Sequence, residues 1–222
     1  MARDGSARLS RHRTVALGMV AQLVITGPEN VARKVNPGMI RGKLVKPLLV
    51  GIRIGSIADQ DEIKGTGRAC ECGLEALPAD LSGTVVVTMG DVPLLTGATL
   101  SALTKQHEET NSAVTVMTAE LTNPASYGRI VRNEAGEVAA IMEFKDALAA
   151  RAAGGDHADV VDIREINSGI YAFDLSVLRS ALAEVTTDNA QGEKYLTDVL
   201  AIARRDGGRV SAYLVDDVLQ TE

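Results

Sequence analysis

Thr84-Val85-Val86-Val87-Thr88-Met89-Gly90-Asp91-Val92-Pro93 is a mostly β-branched run that ends on a glycine, a carboxylate and a proline. A short apolar run between turn signals reads as a strand, and one without polar alternation as a strand buried on both faces, the parallel kind. Upstream, Ala69, Gly73, Ala76 and Leu77 recur at helical spacing before Pro78. Downstream come a modest helix with Leu100 and Leu103 inward and a strand over Ala113–Ala119, with Val114 and Val116 on one face and Thr115 and Met117 on the other. Arg129–Arg132 and Glu137–Glu143 read as a hairpin around Asn133-Glu134-Ala135-Gly136. Residues 146–160 read as a loop or short helix, and Glu165–Phe173 as a strand. Asp174 is a candidate N-cap for a helix carrying Leu175, Leu178 and Leu182. Glu193–Arg204 is the clearest helix, with Leu196, Val199, Leu200 and Ala203 on one stripe, stopped by Gly207-Gly208. Val210–Val215 returns as a strand. The alternation predicts an α/β sheet, mixed because of the hairpin but mostly parallel. In residues 1–55, only Leu23–Ile25 and Leu48–Ile54 read as strands.

The 222 residues suit one α/β domain or two small ones, and 45% hydrophobic residues can bury a core without staples. Aromatics at 3% with no Trp argue against base-stacking platforms. Cys70 and Cys72 read as reduced thiols, and His12, His107 and His157 show no ligand spacing. Charge is uneven: residues 1–46 carry +7 in a chain of net −6, which leaves −13 for the rest. That basic start could be a nucleic-acid or membrane arm, a targeting segment, or an aberrant start from a shifted frame or misplaced start codon. The third reading is favoured, because the apolar run Val15–Ile25 is too short to span a bilayer and no clear cleavage site follows.

Ligands of open α/β sheets sit beyond the carboxyl ends of the strands, where Asp91 lies. Its carboxylate suits a hard cation such as Mg²⁺, and an Asx-turn before Pro93 is an equal alternative. Gln60-Asp61-Glu62-Ile63-Lys64-Gly65-Thr66-Gly67 opens a helix and could present N–H and hydroxyl groups to a base or phosphate. Taken alone it reads as an ordinary turn. Tyr127-Gly128-Arg129 is a small-residue corner, and Glu143 ends a hairpin arm. Asn167 places an amide in a strand, where sugar hydroxyls or a neighbouring backbone could satisfy it. Asn189-Ala190-Gln191-Gly192-Glu193-Lys194-Tyr195-Leu196-Thr197-Asp198 opens the last helix.

The order of these pieces is more specific than any one of them. Q-x-x-x-x-G-T-G, V-V-V-x-x-G-D-x-P-L-L, Y-G-R-I, E-x-K-D-A, E-I-N-S-G-I-Y-A-F and N-A-Q-G-E-x-Y-L-T-D follow one another from Gln60 onward. The segment to about Asp217 resembles the uridyltransferase half of the bacterial bifunctional N-acetylglucosamine-1-phosphate uridyltransferase / glucosamine-1-phosphate acetyltransferase family. The resemblance implies a Rossmann-like nucleotide-diphospho-sugar transferase fold with helices on both sheet faces. It implies transfer of UMP from UTP to N-acetylglucosamine 1-phosphate, giving UDP-N-acetylglucosamine and pyrophosphate, with Mg²⁺, in the cytoplasm, and without nucleic-acid or membrane partners. By the same resemblance Gln60, Gly65 and Thr66 face the uracil and Asp91 holds the metal. Gly128, Glu143 and Asn167 contact the N-acetylglucosamine moiety, with Tyr195 and Thr197 on the same side of the pocket.

The family's L-x-A-G-x-G-T-R-M phosphate loop is absent from residues 1–59, and Lys46-Pro47 reverses its later Pro-Lys. Val215-Asp216-Asp217 matches the approach to a last metal ligand beyond the final residue of this sequence, and no hexapeptide-repeat acetyltransferase segment is present. Residues 1–55 are therefore expected to be an atypical basic segment and 56–222 the nucleotidyltransferase-like domain. The alternatives are an impaired remnant that at most binds UDP-N-acetylglucosamine, and a basic-armed interaction protein.

Overall fold

The computed structural model describes residues 58–154, 157–189 and 191–221, together with the backbone of 21–26. The expected strand at Leu48–Ile54 and the basic positions of 1–46 lie outside the described residues. Among the described residues seven strands form one sheet. They are β1 (Ala21–Thr26), β2 (Thr84–Met89), β3 (Val114–Glu120), β4 (Arg129–Arg132), β5 (Val138–Met142), β6 (Glu165–Asp174) and β7 (Val210–Leu214). Their order is β1-β2-β6-β3-β7, with the hairpin β4–β5 attached to β6. Helices α1 (Thr66–Glu75), α2 (Gly97–Glu109), α3 (Phe144–Ala153), α4 (Leu175–Glu184) and α5 (Asp198–Arg205) complete the fold.

The α/β class and mixed sheet hold, but the ladders among the described residues are not mostly parallel. Among the described residues only β3·β7 is a parallel ladder. β2 and β3 do run in one direction, and β6 lies between them antiparallel to both. An apolar, β-branched run signals cover on both faces. It does not distinguish a parallel neighbour from a single reversed strand under the same helices.

Helices cover both faces. On one, Cys70 and Leu74 of α1, Leu175 and Leu178 of α4 and Val199 of α5 meet Val85, Val87, Val114, Val116 and Phe173. On the other, Leu100 and Leu103 of α2 meet Val86, Met117, Ile170 and Ala172. Asp174 caps α4 as expected: its Oδ1 accepts from the Ser176 and Val177 N–H groups at 2.8 and 3.1 Å. Helix α5 starts later than its apolar stripe suggests, at Asp198 rather than Glu193. Residues 194–196 give their backbone to another partner. Lys194 N–H donates to Lys64 O at 2.8 Å, Gly67 N–H donates to Lys194 O at 2.9 Å, and Leu196 N–H donates to Thr66 Oγ1 at 3.1 Å. The periodic Leu196 is still buried, so the pattern recorded burial while tertiary bonding decided conformation.

His107 lies inside this frame, only 3% exposed, with Nδ1 2.9 Å from Thr115 Oγ1, which is 2.8 Å from Ser211 Oγ. Burial pushes its pKa from the ordinary 6.5 down to about 4, against a weaker upward pull from Asp174. The folded value is depressed, so the unfolded chain binds the proton first as pH falls. The neutral ring's contribution is complete above 6.5 and is lost on the way down to about 4. Urea unfolding across that window should show stability declining with acid, and His107→Gln should flatten part of the slope.

Candidate functional site

Two walls meet at the end of the sheet where β2 finishes. β6 arrives there with a bulge: its pairing with β3 steps from Val116↔Tyr171 to Thr118↔Asn167. Gly169 takes a φ of +78° within the bulge, a region open to glycine. Ser168 Oγ fastens the bulge by donating to Met117 O at 2.7 Å and accepting the Ile170 N–H at 3.2 Å. A Cβ on Gly169 would stand 3.2 Å from Met89 Cγ, so the bulge lies against the last residue of β2.

The bulge fixes Asn167. Its N–H donates to Gly128 O at 2.9 Å, and its Oδ1 accepts from Tyr171 Oη at 2.9 Å and from Gly169 N–H at 3.0 Å. With the oxygen engaged, the Nδ2 donors have no partner among the described residues. A Cβ on Gly128 would lie 3.6 Å from both Asn167 Cβ and Glu143 Oε2, so these three expected site residues converge. Burial first, then Asp146 and Asp198, raises the pKa of Glu143. Tyr195 is also raised, by burial and then by Glu193, Glu143, Asp146 and Asp198, which places its hydroxyl in the same acidic field. Thr197 precedes α5 without capping it by its side chain, and it lines the cleft between β5 and α5 beside Asp198 and Ile141.

The remaining expected residues form the second wall and the sheet end. Gln60 Nε2 donates to Ile63 O at 2.7 Å and to Gly65 O at 3.1 Å, shaping the turn ahead of α1. Gly65 has a φ of +111°, and a Cβ there would stand 2.1 Å from Lys194 O. Thr66 Oγ1 accepts the Leu196 N–H and keeps its own proton to donate. Asp91 is exposed just past β2, and its carboxylate has no hydrogen bond or ion pair among the described residues. The Asx-turn alternative is therefore not realised. One unengaged carboxylate fits a Mg²⁺ ion that draws its other ligands from water and phosphate. Among the described residues no group of three or more His, Cys, Asp or Glu could hold a metal. No helix there is long and apolar enough to cross a membrane.

Two groups of partners escaped the motif reading. Tyr171 sets the amide of Asn167; its signal was a hydroxyl-bearing residue two strand periods away on the same face. Lys194 reaches Glu71 Oε1 at 2.7 Å, and Arg68 joins Glu71 to Asp61 and Glu75, tying the two walls together. No spacing rule connects residues 123 positions apart.

A family model for nucleotidyl transferases matches residues 17–218 of this α/β domain. The chain belongs to the nucleotidyl transferase family. Its curated relatives carry the name the motif order pointed to. It is 58% identical over 173 residues to the bifunctional protein GlmU of Micrococcus luteus, covering 78% of this chain and 35% of that protein. It is 43% identical over 211 residues to the bifunctional protein GlmU of Mycolicibacterium gilvum, covering 94% of this chain and 39% of that protein. The chain thus spans little more than a third of the length of these relatives. Among solved structures, a UDP-glucose pyrophosphorylase complexed with UDP-glucose aligns at 20% identity with a TM-score of 0.47, covering 70% of this chain and 55% of that one.

The close approach at Gly65 yields a measurable contrast. Gly65→Ala meets both strain and a backbone oxygen and should cost more than about 2 kcal/mol. At Gly136, φ is +78° with nothing within 4 Å of an added Cβ. Gly136→Ala should cost only the conformational part, about 1 kcal/mol. Urea midpoints of the two variants check the difference.

Proposed function

We propose that this chain transfers a uridylyl group from UTP to N-acetylglucosamine 1-phosphate, releasing pyrophosphate and forming UDP-N-acetylglucosamine. The observation that carries the reading is the convergence of Gly128, Glu143 and Asn167 beside the sheet end that bears an unengaged Asp91. Identity of 43–58% to bifunctional GlmU proteins supports it. The sugar phosphate's oxygen attacks the α-phosphorus of UTP in line, one P–O bond forms, and the bond to the pyrophosphate oxygen breaks. Such transfer needs positioning and charge neutralisation rather than a covalent protein intermediate. Asp91 would hold a divalent cation, which offsets phosphate charge when bound.

The protein groups divide the rest of the work. The Asn167 Nδ2 donors are available to sugar oxygens, and the Glu143 carboxylate can accept from sugar hydroxyls. Gly128 leaves room that a side chain would fill. Gln60, Gly65 and Thr66 face the uracil, Thr66 with its free hydroxyl proton, and Tyr195 and Thr197 line the sugar side. Without a recognisable Gly-rich phosphate loop in residues 1–59, turnover is expected to be slow, by about 10²–10³-fold on the scale of a lost oxyanion donor.

Calorimetry with UDP-N-acetylglucosamine and Mg²⁺ tests the reading, and no binding by folded protein would reject it. Asp91→Asn should leave stability within about 0.5 kcal/mol, because the site is exposed, yet remove the metal dependence of binding. Sugar-nucleotide affinity should fall with acid at a higher pH than an ordinary carboxylate gives, because Glu143 is raised above 4.5 and loses its charge there. Glu143→Gln should weaken binding and flatten that limb.

A further inference from the structure

Arg129 opens β4 directly opposite Ile166, the residue before Asn167, and is only 2% exposed. No carboxylate pairs with it among the described residues. A buried cation without a counter-charge is costly unless its donors are satisfied. Here the chain surrounds it with carbonyls. Nε donates to Val161 O at 3.2 Å, Nη2 to Ala125 O at 3.0 Å, and Nη1 to Pro124 O at 3.4 Å and to Tyr127 O. The Phe144 ring lies 5.2 Å beneath the guanidinium carbon. Ala125 sits at a φ of +42°, a conformation an alanine adopts only when its surroundings impose it.

Resting on the functional reading above, we propose that Arg129 is the positioning residue of the sugar-side wall. Its guanidinium gathers the 124–127 loop, the turn at Val161 and the ring beside Glu143, and so holds Gly128 against Asn167. The charge is not presented to substrate, because the group is buried with its donors on backbone carbonyls. An apolar side chain could fill the space but would leave the Val161 and Ala125 carbonyls without the donor they have here, while Pro124 O would keep the Tyr127 N–H. A lysine presents its donors from one point and cannot reach four carbonyls arranged around a planar fork.

Arg129→Lys and Arg129→Met of the full chain test this by two readouts. Without ligand, amide exchange at Asn167, whose N–H bonds Gly128 O, should quicken at least about tenfold in Arg129→Met, while Val215, bonded to Thr118 O, keeps its protection. In calorimetry, UDP-N-acetylglucosamine affinity should drop about 30-fold while that of UTP, which carries no sugar, changes less than about threefold. Arg129→Lys should fall between, and it carries the same comparison should Arg129→Met fail to fold. Unchanged sugar-nucleotide affinity, or equal loss for both ligands, overturns the positioning role alone. Wild-type protein that binds no UDP-N-acetylglucosamine overturns the functional reading and this inference with it.

Discussion

The ten-residue strand β6, Glu165–Asp174, pairs with β2, β3 and β4, and the architecture depends on that reversed strand. β6 supplies Phe173 and Tyr171 to one core face and Ile170 and Ala172 to the other, so it closes both layers. The same strand breaks register once, at the Asn167–Gly169 bulge, and there it leaves off packing and begins presenting polar groups. The hairpin β4–β5 is anchored to it through Arg129↔Ile166 and the bond from Asn167 to Gly128. A bulge inside a fully covered strand is a defect in core terms. Here it turns an amide toward the sheet's end.

The second constraint is the backbone bridge between 64–67 and 194–196. It brings the turn ahead of α1 and the segment bearing Tyr195 into contact, although they are far apart in the chain. Gly65 is required by this closeness, since any Cβ would enter the Lys194 carbonyl. The partly exposed cluster of Arg68, Glu71 and Lys194 lies over the same junction. These three side chains are only 15–17% exposed, so their pairs are weakly screened and hold the junction together with the backbone bonds.

Much of this was legible in residues. The β-branched run at 84–89, the hairpin turn at 133–136, the cap at Asp174 and the stop at Gly207 each follow from local chemistry, and each stands where it was read. The strand read at Leu23–Ile25 is contained in β1. The direction of β6 was not legible, because burial leaves the same composition in either orientation. The start of α5 was missed because Lys194 and Leu196 give their N–H groups to a distant turn, and no local pattern encodes that. Motif order placed Gly128, Glu143 and Asn167 in one pocket, and the structure brings them together. Tyr171, which bonds the Asn167 amide oxygen, and Arg129, which bonds the carbonyls of the loop ahead of Gly128, read as ordinary core and corner residues in the sequence.

Uridylyl transfer is the activity proposed for this arrangement. The most direct measurement is pyrophosphate release from UTP and N-acetylglucosamine 1-phosphate with Mg²⁺. The expected result is slow release that requires both substrates and the metal and disappears in Asp91→Ala. No release from protein that is folded and saturated with both substrates would contradict it.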